Sequence, residues 1–193
     1  MSVEASKFNL KKTMHKLMKE KSFTSITVKE LCEKAGVSRR SFYRYYMDKY
    51  ELLQDLYYDF FFSKIKITPD ENFWDIIKQM IFQVYEDQAF FRHAFQVVEQ
   101  NGFWEESEKL LVPLLYKELP KQTNVEYDHM ARFYCREDIH TALKMIVMWN
   151  EDPCPPEEFA FKLQTSFGVR GKWLYELSMK YKLEDYDETK DSI

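Results

Sequence analysis

The sequence predicts an all-α protein: an N-terminal three-helix head with a helix-turn-helix, residues 1–50, and a larger helical body, residues 51–193. Three observations lead there. The 193 residues hold 4 glycines and 6 prolines, too few for the many tight turns of an all-β chain. Apolar residues recur at helical spacing over long stretches. The charge is also divided: residues 1–50 carry 12 Lys and Arg against 5 Asp and Glu, a net of +7, and residues 51–193 carry 16 against 27, a net of −11. A basic head on an acidic body suits a polyanion-binding module attached to a partner domain. A charge run alone is equally what a solvated face looks like.

Composition narrows the class. Hydrophobic residues make up 45% of the chain, enough for a core and against disorder. No apolar run approaches the roughly 18 residues of a membrane span. The stretch from Met1 to Lys7 lacks the apolar centre of a signal peptide. Cys32, Cys135 and Cys154 are odd in number and widely spaced, which predicts reduced thiols and a cytoplasmic protein with no disulfide frame.

The first helix is expected from about Ser6 to Glu20, with Leu10, Met14, Leu17 and Met18 on its inner face and Lys11, Lys12, Lys16 and Lys19 on its surface. Thr27-Val28-Lys29-Glu30 reads as a capping box, with Ile26 and Leu31 placed for a hydrophobic staple. Ala35-Gly36 ends that second helix in a left-handed stop, and Ser38 caps a third almost at once. Helix, tight glycine turn and helix form the helix-turn-helix arrangement, in which a bracing helix holds a second one against a DNA major groove.

The third helix begins Arg39-Arg40-Ser41-Phe42-Tyr43-Arg44-Tyr45-Tyr46. At about 100° per residue, Phe42 and Tyr46 share an inner face, and Arg40, Tyr43, Arg44 and Met47 take the opposite one with Arg39 at its edge. Arginine forks onto guanine N7 and O6, whereas Ser and Tyr hydroxyls suit phosphate oxygens, which set register without reading sequence. Asp48 and Glu51 repeat the capping pattern for a fourth helix, and Lys49 in its first turn is placed to help hold a phosphate.

The run from Thr27 to Leu53, with its Ala35-Gly36-Val37-Ser38 turn, Phe42-Tyr43-Arg44-Tyr45-Tyr46 recognition helix and Asp48-Lys49-Tyr50-Glu51-Leu52-Leu53 helix start, resembles the DNA-binding head of the TetR/AcrR regulators. Its last segment is similar to a subgroup that includes regulators of dihydroxyacetone kinase operons. The chain departs from the family pattern at Arg40, where Gly is frequent, at Tyr46, where Phe is, and at Tyr50, where Glu is. The resemblance implies a homodimeric, ligand-responsive repressor on a near-palindromic double-stranded operator. Lys29, Arg39, Arg40 and Arg44 then become candidates for base edges. Thr27, Ser41, Tyr43, Tyr45 and Lys49 become candidates for phosphates.

In the body, Leu52 to Phe61 extend the fourth helix toward Lys66, before Thr68-Pro69-Asp70 breaks it. Phe73, Ile76, Ile77, Met80, Ile81 and Val84 make one amphipathic stripe; Phe91, Ala94, Phe95 and Val98 make another, stopped near Asn101-Gly102. A helix over Leu110–Leu119 is expected to be interrupted by Pro113 and ended by Pro120. A long helix follows from about Glu126 to Asn150. The last helix starts at the prolines before Glu157-Glu158.

Two long terminal helices fit a dimer interface, with Phe159, Leu163, Phe167, Leu174 and Leu177 as its candidate apolar stripe. Gly168 and Gly171 suit either a kink or the close approach of a partner helix. On the long helix, Tyr134, Glu137, Thr141 and Lys144 mix polar groups into an apolar face. They are candidates to line an effector pocket or to pair across a dimer.

No catalytic, metal or cofactor site is expected. His15, His93, His129 and His140 lack metal-ligand spacing, and there is no phosphate loop, nucleophile elbow or Cys-x-x-Cys. The alternative to a DNA-reading regulator is a TetR-like interaction protein that binds a partner or metabolite and does not read DNA.

Overall fold

The computed structural model describes the backbone of residues 2–68, 71–97, 102–123 and 129–181, with side chains over the same ranges except 119–123, 129–132 and 173–181. The breaker at Pro69-Asp70, Val98, Asn101 and the start of the long helix near Glu126 lie outside the described residues. Among those described, the chain forms nine α-helices and two 3₁₀ turns.

Helix α1 (Val3–Glu20) begins earlier than the apolar periodicity suggests, because the Ser2 hydroxyl accepts from the Ala5 amide at 3.2 Å and caps it. A 3₁₀ turn (Phe23–Ser25) leads to α2 (Val28–Ala35), capped by Thr27, whose hydroxyl accepts from Glu30 N at 3.1 Å. The Glu30 carboxylate pairs with Lys21 at 2.6 Å and Lys34 at 3.3 Å. Two ammonium groups outcompete the backbone amide it was expected to reach back to. Gly36 stands at φ 66°, the left-handed stop. Ser38 caps α3 (Arg39–Tyr45), accepting from Ser41 N at 3.0 Å. Asp48 caps α4 (Lys49–Phe60) through the amides of Tyr50 and Glu51 at 2.8 and 3.0 Å. That helix stops short of Lys66, giving way to a 3₁₀ turn (Phe62–Lys64).

The body continues with α5 (Phe73–Glu86), α6 (Gln88–Ala94), α7 (Phe103–Thr123), α8 (His129–Glu151) and α9 (Pro156–Tyr181). A reciprocal capping box of Asn72 and Asp75 opens α5. Helix α7 runs unbroken past Pro113 and Pro120, correcting the expected interruption; Pro113 sits on the exposed side, where the loss of one amide donor is tolerated. One apolar cluster runs from Leu10 through Phe42, Tyr57 and Phe91 to Phe167. Helix α1 packs on α2, α4 and α6, joining head and body.

That junction is polar as well as apolar. Lys11, placed by sequence on the surface of α1, is buried and pairs with Asp55 at 3.3 Å and with Asp59. Its position one residue after Leu10 and three before Met14 puts it at the edge of the inner face. Below it, His15 pairs with Asp87 and Lys19 reaches the same carboxylate at 2.7 Å. The His93 Nδ1–H donates to the Met18 carbonyl at 2.6 Å. No helix among the described residues is long and apolar enough to cross a membrane.

Candidate nucleic-acid interface

The apolar side of α3 anchors it. Phe42 is fully buried, and Tyr46 at the helix end is buried and donates its hydroxyl to Asp55 at 2.6 Å. Burial, and then the bond to Asp55, pushes the Tyr46 phenol far above its ordinary range, so it stays a neutral donor. With that side fixed, the other side must face outward.

Arg39, Arg40, Tyr43, Arg44 and Met47 are all exposed. Arg44 donates from Nη2 to the Tyr45 hydroxyl at 2.7 Å and lies over its ring. Tyr43 stands edge-on to Phe42 with half its surface exposed. Ser41 and Ser38 join their hydroxyls at 3.0 Å beside the start of α3. Lys29 and Thr27 are exposed at the start of α2, and Lys29 makes a loose pair with Glu33 at 3.9 Å.

Lys49 differs from the other cations. Its Nζ donates to the carbonyls of Phe23, Thr24 and Ile26 at 2.9, 3.2 and 2.9 Å, and stands over the Phe23 ring, 4.4 Å from its centre. The sequence placed this ammonium against phosphate; the fold turns it inward onto the backbone ahead of α2.

The body candidates lie together on α8. Tyr134, Glu137 and Lys144 are exposed and Thr141 is half-buried, all on the outer side of α8; the Thr141 hydroxyl donates back to the Glu137 carbonyl at 2.9 Å. A cavity of about 210 Å³ lies where α1, α4, α5 and α6 meet, with Phe60, Phe61, Phe90 and Phe91 on one part of its wall and His15, Lys19, Lys64, Gln83, Glu86 and Asp87 on the rest.

Phe159, Leu163 and Phe167 are buried within the protomer itself. Phe159 stacks on Trp149 with ring centres 4.5 Å apart, and Phe167 meets the edge of Trp74 at 5.5 Å. These three residues of the α9 stripe are thus covered by the protomer's own core. The side chains of Leu174 and Leu177 lie outside those described. Among the described residues of α8 and α9, Phe133, Tyr134, Met148, Phe161 and Val169 are the large apolar side chains left exposed. Among the described residues no group of three or more His, Cys, Asp and Glu is arranged to hold a metal ion.

A short braced helix, anchored by aromatics and carrying three arginines outward behind a glycine turn, has the form of a helix-turn-helix. The comparisons are more specific. Residues 12–56 match the model of the family described as bacterial regulatory proteins, tetR family. An HTH-type transcriptional regulator of Bacillus subtilis (strain 168), YxbF, is 39% identical over 56 residues, which are 29% of this chain and 15% of that protein's length.

Two solved structures share the fold. The dihydroxyacetone kinase operon activator DhaS superposes with a TM-score of 0.63 at 16% identity, over 87% of this chain and 97% of its own. A tetR-family transcriptional regulator from Streptomyces coelicolor superposes with a TM-score of 0.64 at 18% identity, over 94% of this chain and 85% of its own. The match to the tetR family thus lies in the head, over residues 12–56, and the structural likeness extends the shared fold to the body.

Proposed function

We propose that the chain is a sequence-specific repressor whose head, residues 1–50, reads double-stranded DNA and whose body, residues 51–193, dimerises and responds to a small molecule. The observation that carries this reading is the two-sided α3: Phe42 and Tyr46 locked inside, Arg39, Arg40 and Arg44 outside. Those arginines, with Lys29 from α2, face base edges, where a bidentate Arg–guanine contact contributes about 1–3 kcal/mol of discrimination. Thr27, Ser41, Tyr43 and Tyr45 hold phosphates and set the register.

A single head covers little DNA, so two copies read a near-palindrome from heads about 34–36 Å apart. The surfaces that bring the copies together are the outer faces of α8 and α9. On these faces Tyr134, Glu137, Thr141 and Lys144 pair across the dimer and do not enclose a ligand. The effector enters the mixed polar and aromatic cavity between α1 and α6, where it touches head and body at once. Binding there shifts the spacing of the heads by its difference in affinity for the two states, typically about 1–3 kcal/mol of coupling.

The test is a titration of fluorescent DNA from the chain's own upstream region, against scrambled competitor at several salt concentrations, with an Arg40→Ala, Arg44→Ala double variant alongside. The reading expects saturable, salt-sensitive binding that prefers the native fragment and loses that preference in the variant. Equal weak binding to both DNAs, unchanged by the substitutions, would leave a TetR-like interaction protein that does not read DNA.

A further inference from the structure

Lys49 is the cation of the head whose ammonium is committed to the protein backbone. An ammonium has three protons, and three carbonyls converge on this one: Phe23 and Ile26 at 2.9 Å and Thr24 at 3.2 Å. The floor beneath it is the buried Phe23 ring, which Tyr50 meets edge-on with centres 4.9 Å apart. The carbonyls belong to the 3₁₀ turn and to the residue immediately before the Thr27 cap. The ammonium belongs to the first turn of α4, immediately after the Asp48 cap. Every residue of the helix-turn-helix, from Thr27 to Asp48, therefore lies between two points that this one side chain ties together.

We infer that Lys49 is a positioning residue for DNA recognition, a non-covalent clasp that closes the helix-turn-helix upon itself. It fixes the start of α2, with Thr27 and Lys29, relative to the end of α3, and so sets the spacing between groups that meet DNA on both sides of the recognition helix. Cation charge alone does not do this. A guanidinium has more N–H groups, but they lie fixed in one plane, so it cannot aim three of them at a converging cluster as an ammonium does.

The inference rests on the DNA-reading function proposed above, and its test separates the two. Lys49→Arg and Lys49→Met are compared with the wild type by DNA titration across salt concentrations, well below their melting midpoints, and by backbone amide exchange. The clasp predicts that both variants lose affinity by about tenfold, on the scale of one specific contact, with the salt slope of Lys49→Arg unchanged. It also predicts faster exchange at the Glu30 and Leu31 amides of α2, with α8 unaffected. A phosphate contact predicts instead that Lys49→Arg binds as the wild type does and that Lys49→Met loses about one unit of salt slope.

That result would overturn the clasp, as would wild-type affinity in both variants, which would leave Lys49 a contributor to stability alone. If Lys49→Met does not fold, Lys49→Gln takes its place. If the wild type itself binds no DNA, the functional reading falls and the positioning role with it. Exchange at Glu30 and Leu31 then still reports whether Lys49 holds the start of α2.

Discussion

Arg44 lies over the Tyr45 ring, 5.0 Å from its centre, and donates to the Tyr45 hydroxyl at 2.7 Å, so two neighbours on the recognition helix share one guanidinium position. The bond from Arg44 holds the Tyr45 phenol below its ordinary range. An arginine held by stacking on one face and a bond at one nitrogen loses less rotamer freedom when its remaining N–H groups meet a base edge. Tyr45→Phe keeps the ring and removes the acceptor. It is expected to weaken binding to the preferred sequence between about 2- and 10-fold, with the salt slope unchanged, as read by titration against preferred and scrambled DNA. A uniform loss on both DNAs would mean that the Tyr45 hydroxyl serves its phosphate contact alone and has no part in placing Arg44.

Gly36 tests the turn. At φ 66° it occupies the left-handed region, and a Cβ added there meets nothing within 4 Å. The penalty of Gly36→Ala is therefore backbone strain without a clash, about 1–2 kcal/mol, measurable as a lower urea midpoint at constant m-value. Gly36→Asn, which tolerates this conformation better, should lose less. Equal losses for Ala and Asn would mean that side-chain volume and not φ decides the position.

Asp87 ties the head to the body through His15 and Lys19. Burial raises its carboxyl, but the bonds from His15 and Lys19 outweigh that and leave it below its ordinary value of 3.8. A carboxylate depressed by folding adds stability above its unfolded value, and the contribution is lost as pH falls through the folded one. Asp87→Asn should therefore lower stability at neutral pH by about 1–2 kcal/mol. The gap to the wild type should close in acid, below about pH 4. A gap of constant size from pH 7 to pH 3 would show that shape and not charge matters at this position.

What could be read from the sequence was what neighbours decide. Thr27, Ser38 and Asp48 cap, and Gly36 stops, because a cap and its amide lie within three residues, and residue type alone identifies them. The amphipathic stripe of α5 and the inward turn of Phe42 and Tyr46 followed from periodicity in the same way. Pairs made by the tertiary fold were not legible. His15 and Asp87 stand 72 positions apart, and Lys49 meets carbonyls 23 to 26 positions back; no spacing rule links them. Lys11 read as one of several surface lysines because Asp55 and Asp59 arrive from another helix. The stripe of α9 was ambiguous for a different reason. Periodicity says that Phe159, Leu163 and Phe167 are covered, and is silent on whether their own chain or a second copy covers them.

That ambiguity yields the last prediction. Phe161 and Val169 are 70% and 64% exposed, and neither belongs to the inward stripe of α9. With Gly168 beside them, where an added Cβ meets nothing within 4 Å, they form a face the protomer does not need for its own folding. Phe161→Glu with Val169→Glu should leave helicity and the unfolding midpoint near those of the wild type, since exposed substitutions usually change stability by about 0.5 kcal/mol or less. Buried charge is far more costly at an interface, so the same pair should convert a dimer mass to a monomer mass in light scattering. It should also weaken binding to a two-half-site DNA while sparing the weak binding of one head to one half-site. Phe167→Glu is the contrasting variant: Phe167 is buried against Trp74 inside the protomer, so it should unfold the chain and not split it. A folded, dimeric double variant would move the interface away from α9. A folded monomer that still held both half-sites tightly would remove the reason for a dimer altogether.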